Sequence, residues 1–207
     1  MPRHPRFGGR TLARSQAMQI LFQAEATGRL VSDVLAGDYA LSDGPLDPYA
    51  AELALGADSM LDDLDAVMDM ASANWGVSRM PSVDRNLLRI AIYEMLEVKE
   101  VDIPVSIDEC VELAKAYGTD ESSRFVNGLL GRVAALIEQG EDVVALAYAR
   151  QGIEVEPLDD DEDGDAEPDE VEDDEVEAES EEHEAADEVE ETSDEPADDL
   201  PDWAREG

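Results

Sequence analysis

The chain has 207 residues, with 54 acidic and 14 basic side chains and a formal net charge of −40 at neutral pH. The acid is concentrated in residues 154–207, which hold 30 of the acidic residues and a single arginine. Residues 1–153 carry a net charge of only −11 and are long enough to bury a hydrophobic core. The one cysteine, Cys110, excludes an intrachain disulfide and a cysteine metal cage, which fits a reducing cytoplasm.

No apolar run approaches the roughly 20 residues that a membrane-spanning helix needs, so we expect no membrane association. The first 16 residues contain four arginines and no acid, a composition also found in mitochondrial transit peptides. The regular helical patterning of residues 11–27 disfavours that alternative. We therefore predict a cytoplasmic protein.

Apolar residues recur at helical spacing through residues 10–153, and no stretch shows the alternation of a strand. The first predicted helix covers residues 11–27 and ends at Gly28. A short or weak helix follows in residues 32–41. A long helix is predicted next, starting with Asp47 as its cap and Pro48 in its first turn, and Gly56 is expected to break or kink it.

The second half of this region continues the helical pattern. Further helices are predicted in residues 82–98, 104–118, 120–140 and 141–150. Ser106 and Glu109 have the spacing of a capping box at the start of one of them. Six or seven helices joined by short loops predict an all-α helical bundle.

The C-terminal residues 154–207 have few apolar side chains and extreme like charge, so we predict a disordered acidic tail. Within it, five residues match the EF-hand calcium loop: Asp159, Asp161, Asp163, Gly164 and Glu170. Acidic motifs arise by chance in an acidic run, and Pro168 falls inside this loop, so we expect no metal site. The tail either adds solubility or competes with nucleic acid for the basic residues, and the sequence leaves both readings open.

No arrangement of catalytic residues is recognisable in the predicted folded region. The two histidines, His4 and His183, fall in segments predicted to be flexible. No glycine-rich loop follows a strand, and Ser122 and Ser123 have no histidine partner. Cys110 lies on an apolar helix face and is interpreted as a small core residue. We therefore expect a binding protein without enzymatic activity or cofactor.

Three stretches resemble the transcription antitermination factor NusB family: residues 13–25 ("ARSQAMQILFQAE"), 74–96 ("NWGVSRMPSVDRNLLRIAIYEML") and 103–133, which includes the phrase "FVNGLL". The resemblance covers roughly residues 10–138, in order and with the expected spacing. It implies an all-α fold of two three-helix subdomains. The chain is then divided into a flexible basic arm (1–9), a NusB-like RNA-binding domain (10–153) and the acidic tail (154–207).

The resemblance also implies a function and partners. Members of the family bind the boxA element of nascent RNA together with NusE, a small-subunit ribosomal protein. The complex helps RNA polymerase to read through terminators, notably in ribosomal RNA operons. Single-stranded RNA is held by cations on its phosphates and by aromatic rings on its bases, which agrees with an arginine-bearing head and an aromatic residue in the third block.

Site residues follow from the resemblance position by position. RNA contacts are expected from Arg10, Arg14, Phe22, Glu121, Arg124, Phe125 and Asn127. Asp84 and Arg89 are expected at the NusE surface or at the adjoining edge of the RNA site.

Two alternative functions have less support in the sequence. NusB-like domains also occur in an rRNA cytosine methyltransferase, but that enzyme needs a Rossmann-like domain and catalytic cysteines, and nothing after residue 153 predicts them. The second alternative is a NusB-like protein-binding adaptor without an RNA role, in which the basic N-terminal residues would have no function. A binding assay with boxA RNA distinguishes such an adaptor from an RNA-binding protein.

Overall fold

The computed structural model describes residues 7–72 and 75–152. These residues form eight α-helices and one short 3-10 helix and contain no strand, so the all-α prediction is confirmed. The helices are α1 (Gly9–Thr27), α2 (Val31–Ala36), α3 (Pro48–Ser59), α4 (Leu61–Ala71), the 3-10 helix (Val77–Arg79), α5 (Ser82–Glu97), α6 (Ile103–Tyr117), α7 (Ser122–Glu138) and α8 (Val143–Gln151). None of the described helices combines the length and apolarity required to cross a bilayer.

All described residues belong to one compact unit. The tail predicted in residues 154–207 and its EF-hand pattern lie outside the described residues. The same holds for the first six residues of the predicted basic arm, which include Arg3 and Arg6.

Helix α1 ends as its sequence predicts. Gly28 adopts a left-handed conformation with φ of 64°, which side chains other than glycine rarely tolerate. The backbone N–H groups of Gly28 and Arg29 donate to the carbonyl oxygens of Glu25 and Ala24 and so cap the last turn. This turn starts the short connection to α2 and fixes the direction in which the chain leaves α1.

The long helix predicted after Asp47 is two helices, but Gly56 does not cause the break. The chain changes direction at Met60, where φ is −111°, and Gly56 lies inside α3. A Cβ at Gly56 would lie 2.1 Å from the Tyr93 ring, so the glycine is needed because α5 packs that ring against it. The extra break explains why eight α-helices are found where six or seven were predicted.

The predicted capping box at Ser106 is wrong. Helix α6 begins one turn earlier, at Ile103, with Asp102 in the capping position. Ser106 is fully buried and donates its hydroxyl hydrogen to the Glu94 carboxylate on α5. A serine that sequence spacing assigned to a helix end therefore joins two helices in the interior.

Helix α5 is the centre of the bundle and contacts α1, α3, α4, α6 and α7. Its inner side chains, including Leu87, Leu88 and Ile92, are at most 1% exposed. Cys110 of α6 packs beside them with 3% exposure, and its thiol contacts the carbonyl oxygen of Leu87 at 3.3 Å. The prediction that Cys110 is a core residue is confirmed.

Cys110 is expected to be unreactive in the native protein. Burial raises the pKa of its thiol, and only the thiolate reacts with maleimides or disulfide reagents. Because the chain has no other cysteine, mass spectrometry after maleimide treatment should show no adduct under native conditions and one adduct in urea. Rapid native labelling at a rate independent of stability would contradict the packing described above.

Candidate nucleic-acid interface

Three glutamines of α1, here called the glutamine row (Gln16, Gln19 and Gln23), hold the loop between α2 and α3. The amide of Gln16 donates to the carbonyl oxygens of Asp43 and Pro45 and accepts from the N–H of Asp47. Gln19 accepts from the N–H of Ser42 at 2.7 Å. Gln23 both donates to and accepts from the backbone of Ala40 at 2.9 Å. The row fixes this loop, and with it the start of α3, against α1.

Glu94 is fully buried and is the centre of a polar cluster, here called the Glu94 cluster (Glu94, Arg14, Tyr49 and Ser106). The Nε of Arg14 donates to both carboxylate oxygens, at 3.0 and 3.1 Å. Tyr49 donates its hydroxyl to the same carboxylate at 2.5 Å, and Ser106 does so from α6. Burial and this hydrogen bond raise the pKa of Tyr49.

The Glu94 cluster changes the role expected for Arg14. The residue is buried with only 3% exposure, and its guanidinium also lies 3.7 Å from Glu109. Arg14 therefore does not reach the surface where a phosphate would bind, and its charge is used inside the fold. Within the described residues, the predicted arginine contribution of α1 is reduced to Arg10.

Arg10 is exposed and held in place by an aromatic ring. Its guanidinium lies over the Tyr49 ring, 5.1 Å from the centroid, as in a cation–π interaction. The preceding Phe7 contacts the ring of Tyr117, with 6.0 Å between centroids. Two tyrosines thus position the start of α1, and Tyr49 connects Arg10 to the buried Glu94 cluster.

Asp84 and Arg89, the expected partner contacts, are also buried, with 3% and 7% exposure. Arg89 pairs with Asp65 through two hydrogen bonds of 2.8 Å and lies 3.3 Å from Glu25. Asp84 accepts the hydroxyl hydrogen of Ser122 at 2.8 Å. Arg89 therefore serves mainly to join α5 to α4 and α1, and Asp84 joins α5 to α7.

Glu25 receives several of the hydrogen bonds in this region. Its burial opposes ionisation, but hydrogen bonds from Arg85, Ser82 and Asn86 outweigh that effect and hold the pKa of Glu25 below its ordinary value. The α1–α5 contact thus contains a carboxylate that stays ionised and binds two arginines, Arg85 and Arg89.

Four of the predicted RNA contacts lie together at the start of α7. Arg124 and Glu121 are exposed, with 3.8 Å between the guanidinium and the carboxylate. Asn127 is exposed and Phe125 is half-buried. Gly128 and Gly131 have open space where a side chain would be, so a ligand can approach the α7 backbone closely. We call this surface the α7 face.

Phe22 is 41% exposed and lies on α1, about 18 Å along the helix from Arg10 at a rise of about 1.5 Å per residue. Arg10 and Phe22 are the two exposed residues among the RNA contacts predicted on α1. The distance between them corresponds to several nucleotides of extended RNA.

A groove adjoins the α7 face, and the sequence prediction missed most of its residues. It has a volume of about 490 Å³ and is lined by Trp75, Phe125, Arg132, Asp84, Ser122, Ser72, Pro81, Thr119 and Glu121. Trp75 is 52% exposed, which is unusual for so large an apolar ring. The feature of the sequence that could have indicated this groove is Trp75, an aromatic residue next to Gly76 in a loop. We call it the Trp75 groove.

Comparison with known proteins identifies the family of this chain. The profile of the NusB family matches residues 11–135. The chain belongs to the NusB family. The match includes the Glu94 cluster, Asp84, Phe125 and Arg132. The relationship places the chain among transcription antitermination proteins.

Curated NusB relatives are similar over most of their length. The transcription antitermination protein NusB of Salinispora tropica is 45% identical over 128 residues, which are 60% of this chain and 94% of the relative. The protein of the same name from Desulfitobacterium hafniense is 40% identical over 145 residues, which are 66% of this chain and 97% of the relative.

Solved structures show the same fold. NusB of T. maritima matches with a TM-score of 0.54 and 35% identity, covering 63% of this chain and 93% of that protein. A structure of antitermination factors NusB and NusE in complex with dsRNA matches with a TM-score of 0.50 and 23% identity, over 60% of this chain and 94% of that chain. At that identity the second match supports the fold alone.

Proposed function

We propose that this protein binds the boxA element of nascent ribosomal RNA transcripts together with the ribosomal protein NusE and supports read-through by RNA polymerase. Membership of the NusB family supports this function. The observation that carries the RNA-binding part is the α7 face, which presents the exposed side chains of Arg124 and Asn127 and, at its opposite edge, one turn after Glu121, the half-buried ring of Phe125. A solved structure of the same fold, of NusB and NusE in complex with dsRNA, shows that such a protein can form a joint complex with NusE and a double-stranded RNA.

The chemistry of the surface suits single-stranded RNA. Arg10 and Arg124 offer cations to phosphates, and Phe125 offers an aromatic face to an unstacked base. Asn127 adds both a hydrogen-bond donor and an acceptor, which can contact a base edge or a 2′-hydroxyl.

The negative net charge of the folded region is a reason for RNA binding to require a second protein. Residues 1–153 carry a net charge of −11, which repels RNA outside the local basic sites. Two weak surfaces held in one complex gain affinity because the second contact forms at a high effective concentration. RNA binding that becomes tighter when NusE is added tests the proposal directly, and an adaptor without an RNA role would show no binding in either case.

The Arg10→Ala variant is expected to flatten the salt dependence of RNA affinity. Each phosphate contact to a single strand contributes about 0.7 to the slope of log affinity against log salt concentration, so the slope should fall by about that amount. Filter binding or fluorescence anisotropy with a boxA oligonucleotide at several salt concentrations measures it. Arg14→Ala is unsuitable as a companion because Arg14 is buried in the Glu94 cluster.

Arg29→Ala is the matched control. It removes the same charge from an exposed side chain beyond the other end of α1, about 28 Å along the helix axis from Arg10. Equal slopes for both variants and the unmodified protein would remove Arg10 from the RNA site.

A further inference from the structure

Arg10, the exposed cation at the start of α1, is held by an aromatic ring and not by an acid. Its guanidinium lies over the Tyr49 ring, 5.1 Å from the centroid, and it forms no ion pair within the described part of the chain. Arg14, in contrast, is bound to the carboxylate of Glu94. The exposed and the buried arginine of α1 therefore differ in the kind of group that holds them.

The kind of group matters for phosphate binding. A carboxylate takes up the N–H groups of a guanidinium and neutralises its charge, so a phosphate would have to displace it. An aromatic ring attracts the cation through its face and leaves the five N–H donors without a charged acceptor. Burial and the hydrogen bond to Glu94 raise the pKa of Tyr49, so its phenol stays protonated and neutral. The charge of Arg10 thus remains available while its position is restricted.

Tyr49 is itself held at both ends. It follows Pro48 in the first turn of α3, and its backbone N–H donates to the carboxylate of Asp47 at 2.8 Å. At the other end of the side chain, its hydroxyl donates to the fully buried carboxylate of Glu94 on α5. The ring is therefore fixed in one orientation, as a support for a flexible side chain must be.

An arginine side chain loses much of its rotamer freedom when it binds a phosphate, and a side chain that is already restricted in the free protein loses less. We propose that Tyr49 is a positioning residue for RNA binding, whose ring holds the Arg10 guanidinium at the start of α1 for contact with a phosphate. This inference rests on the proposed function, which assigns Arg10 to the RNA. Tyr49 acts through Arg10 and needs no contact of its own with the RNA.

Tyr49→Leu in the full-length protein is expected to weaken binding of a boxA oligonucleotide by about two- to fivefold, which corresponds to the loss of an exposed cation–π contact. Arg10 is still present and still reaches its phosphate in the complex, so the slope of log affinity against log salt concentration should not change. Tyr49→Phe keeps the ring and should retain most of the affinity. Fluorescence anisotropy at several salt concentrations measures both quantities.

Ser106→Ala is the matched control for damage to the Glu94 cluster. It removes a hydroxyl that donates to the same carboxylate, but from α6, and it leaves the Tyr49 ring in place. We expect lower stability and unchanged RNA affinity, with circular dichroism confirming that each variant is folded at the temperature of the binding assay. An equal loss of RNA affinity in Ser106→Ala and Tyr49→Leu overturns the proposal, because the effect would then come from the cluster in general.

Removal of Arg10 tests whether Tyr49 acts through it, because a positioning residue has no effect once the residue that it positions is gone. Tyr49→Leu added to Arg10→Ala is expected to cause no further loss of affinity. The same two- to fivefold loss in both backgrounds overturns the proposal, because Tyr49 would then act independently of Arg10. Equal losses in Tyr49→Phe and Tyr49→Leu also overturn it, because the aromatic ring would then not be their source.

Failure of this inference is distinguishable from failure of the proposed function. If the unmodified protein and Tyr49→Leu bind the boxA oligonucleotide equally well, the positioning role is wrong and the proposed function stands. If the unmodified protein binds no RNA, with or without NusE, the proposed function itself is wrong, and the positioning role is wrong with it.

Discussion

Replacing Glu94 with alanine is expected to lower the free energy of unfolding by about 3 to 5 kcal/mol, because it leaves a buried arginine without its counter-ion. Glu94 is fully buried and accepts hydrogen bonds from Arg14, Tyr49 and Ser106, which come from three different helices. Urea denaturation followed by circular dichroism measures the change. The variant also releases Tyr49, so Arg10 is expected to lose its fixed position at the same time.

Glu97→Ala is the matched control, since it removes an exposed carboxylate from the last turn of the same helix. Its effect should stay within about 0.5 kcal/mol. Replacing Arg14 and Glu94 together with leucine should recover part of the lost stability, because it avoids the unpaired charge but leaves the hydroxyl groups of Tyr49 and Ser106 without their acceptor. Equal stability of the two alanine variants would mean that the Glu94 cluster does not support the fold.

Phe125→Ala is expected to weaken RNA binding by about 1 to 3 kcal/mol, which is the usual effect of losing one base–aromatic stacking contact. Phe125 is half-buried and lines the Trp75 groove, so its ring has a face available to a ligand. The alternative is that Phe125 serves only the core, in which case the variant should lose about 3 to 5 kcal/mol of stability. Melting and binding are therefore measured on the same protein.

Leu129→Ala separates the two explanations, because Leu129 is fully buried one turn farther along α7. It should lose stability and keep its RNA affinity at a temperature where it is folded. If Phe125→Ala behaves in the same way, the stacking role is wrong.

The helices could be predicted from the sequence because their apolar faces repeat at helical spacing over many residues. Arg14 shows why the site could not. The sequence does not distinguish an exposed arginine from a buried one unless the residue that pairs with it is known. The partner of Arg14 is Glu94, which lies 80 positions away in the chain. The warning signal was spacing: Arg14 shares its side of α1 with Ala17, Leu21 and Ala24, which are all buried.

Ser106 was assigned the wrong role and Trp75 was missed for the same reason. Serine followed three residues later by glutamate fits a capping box, but the long-range bond from Ser106 to Glu94 outcompetes that local role. The Trp75 groove brings together the segment after α4, the start of α5 and α7, which only the folded chain places side by side. The local pattern of a helix is contained in its own sequence, whereas a groove depends on which helices pack together.

The glutamine row recognises main-chain atoms only, since every partner of Gln16, Gln19 and Gln23 in the loop is a backbone N–H or carbonyl group. Recognition of this kind does not depend on which side chains the loop carries. It does depend on how many residues separate one contact from the next, because Gln23 binds position 40 and Gln16 binds positions 43–47. We therefore expect related chains that keep these glutamines to keep the length of the loop and, apart from Gly44 with its φ of 66°, to vary its composition.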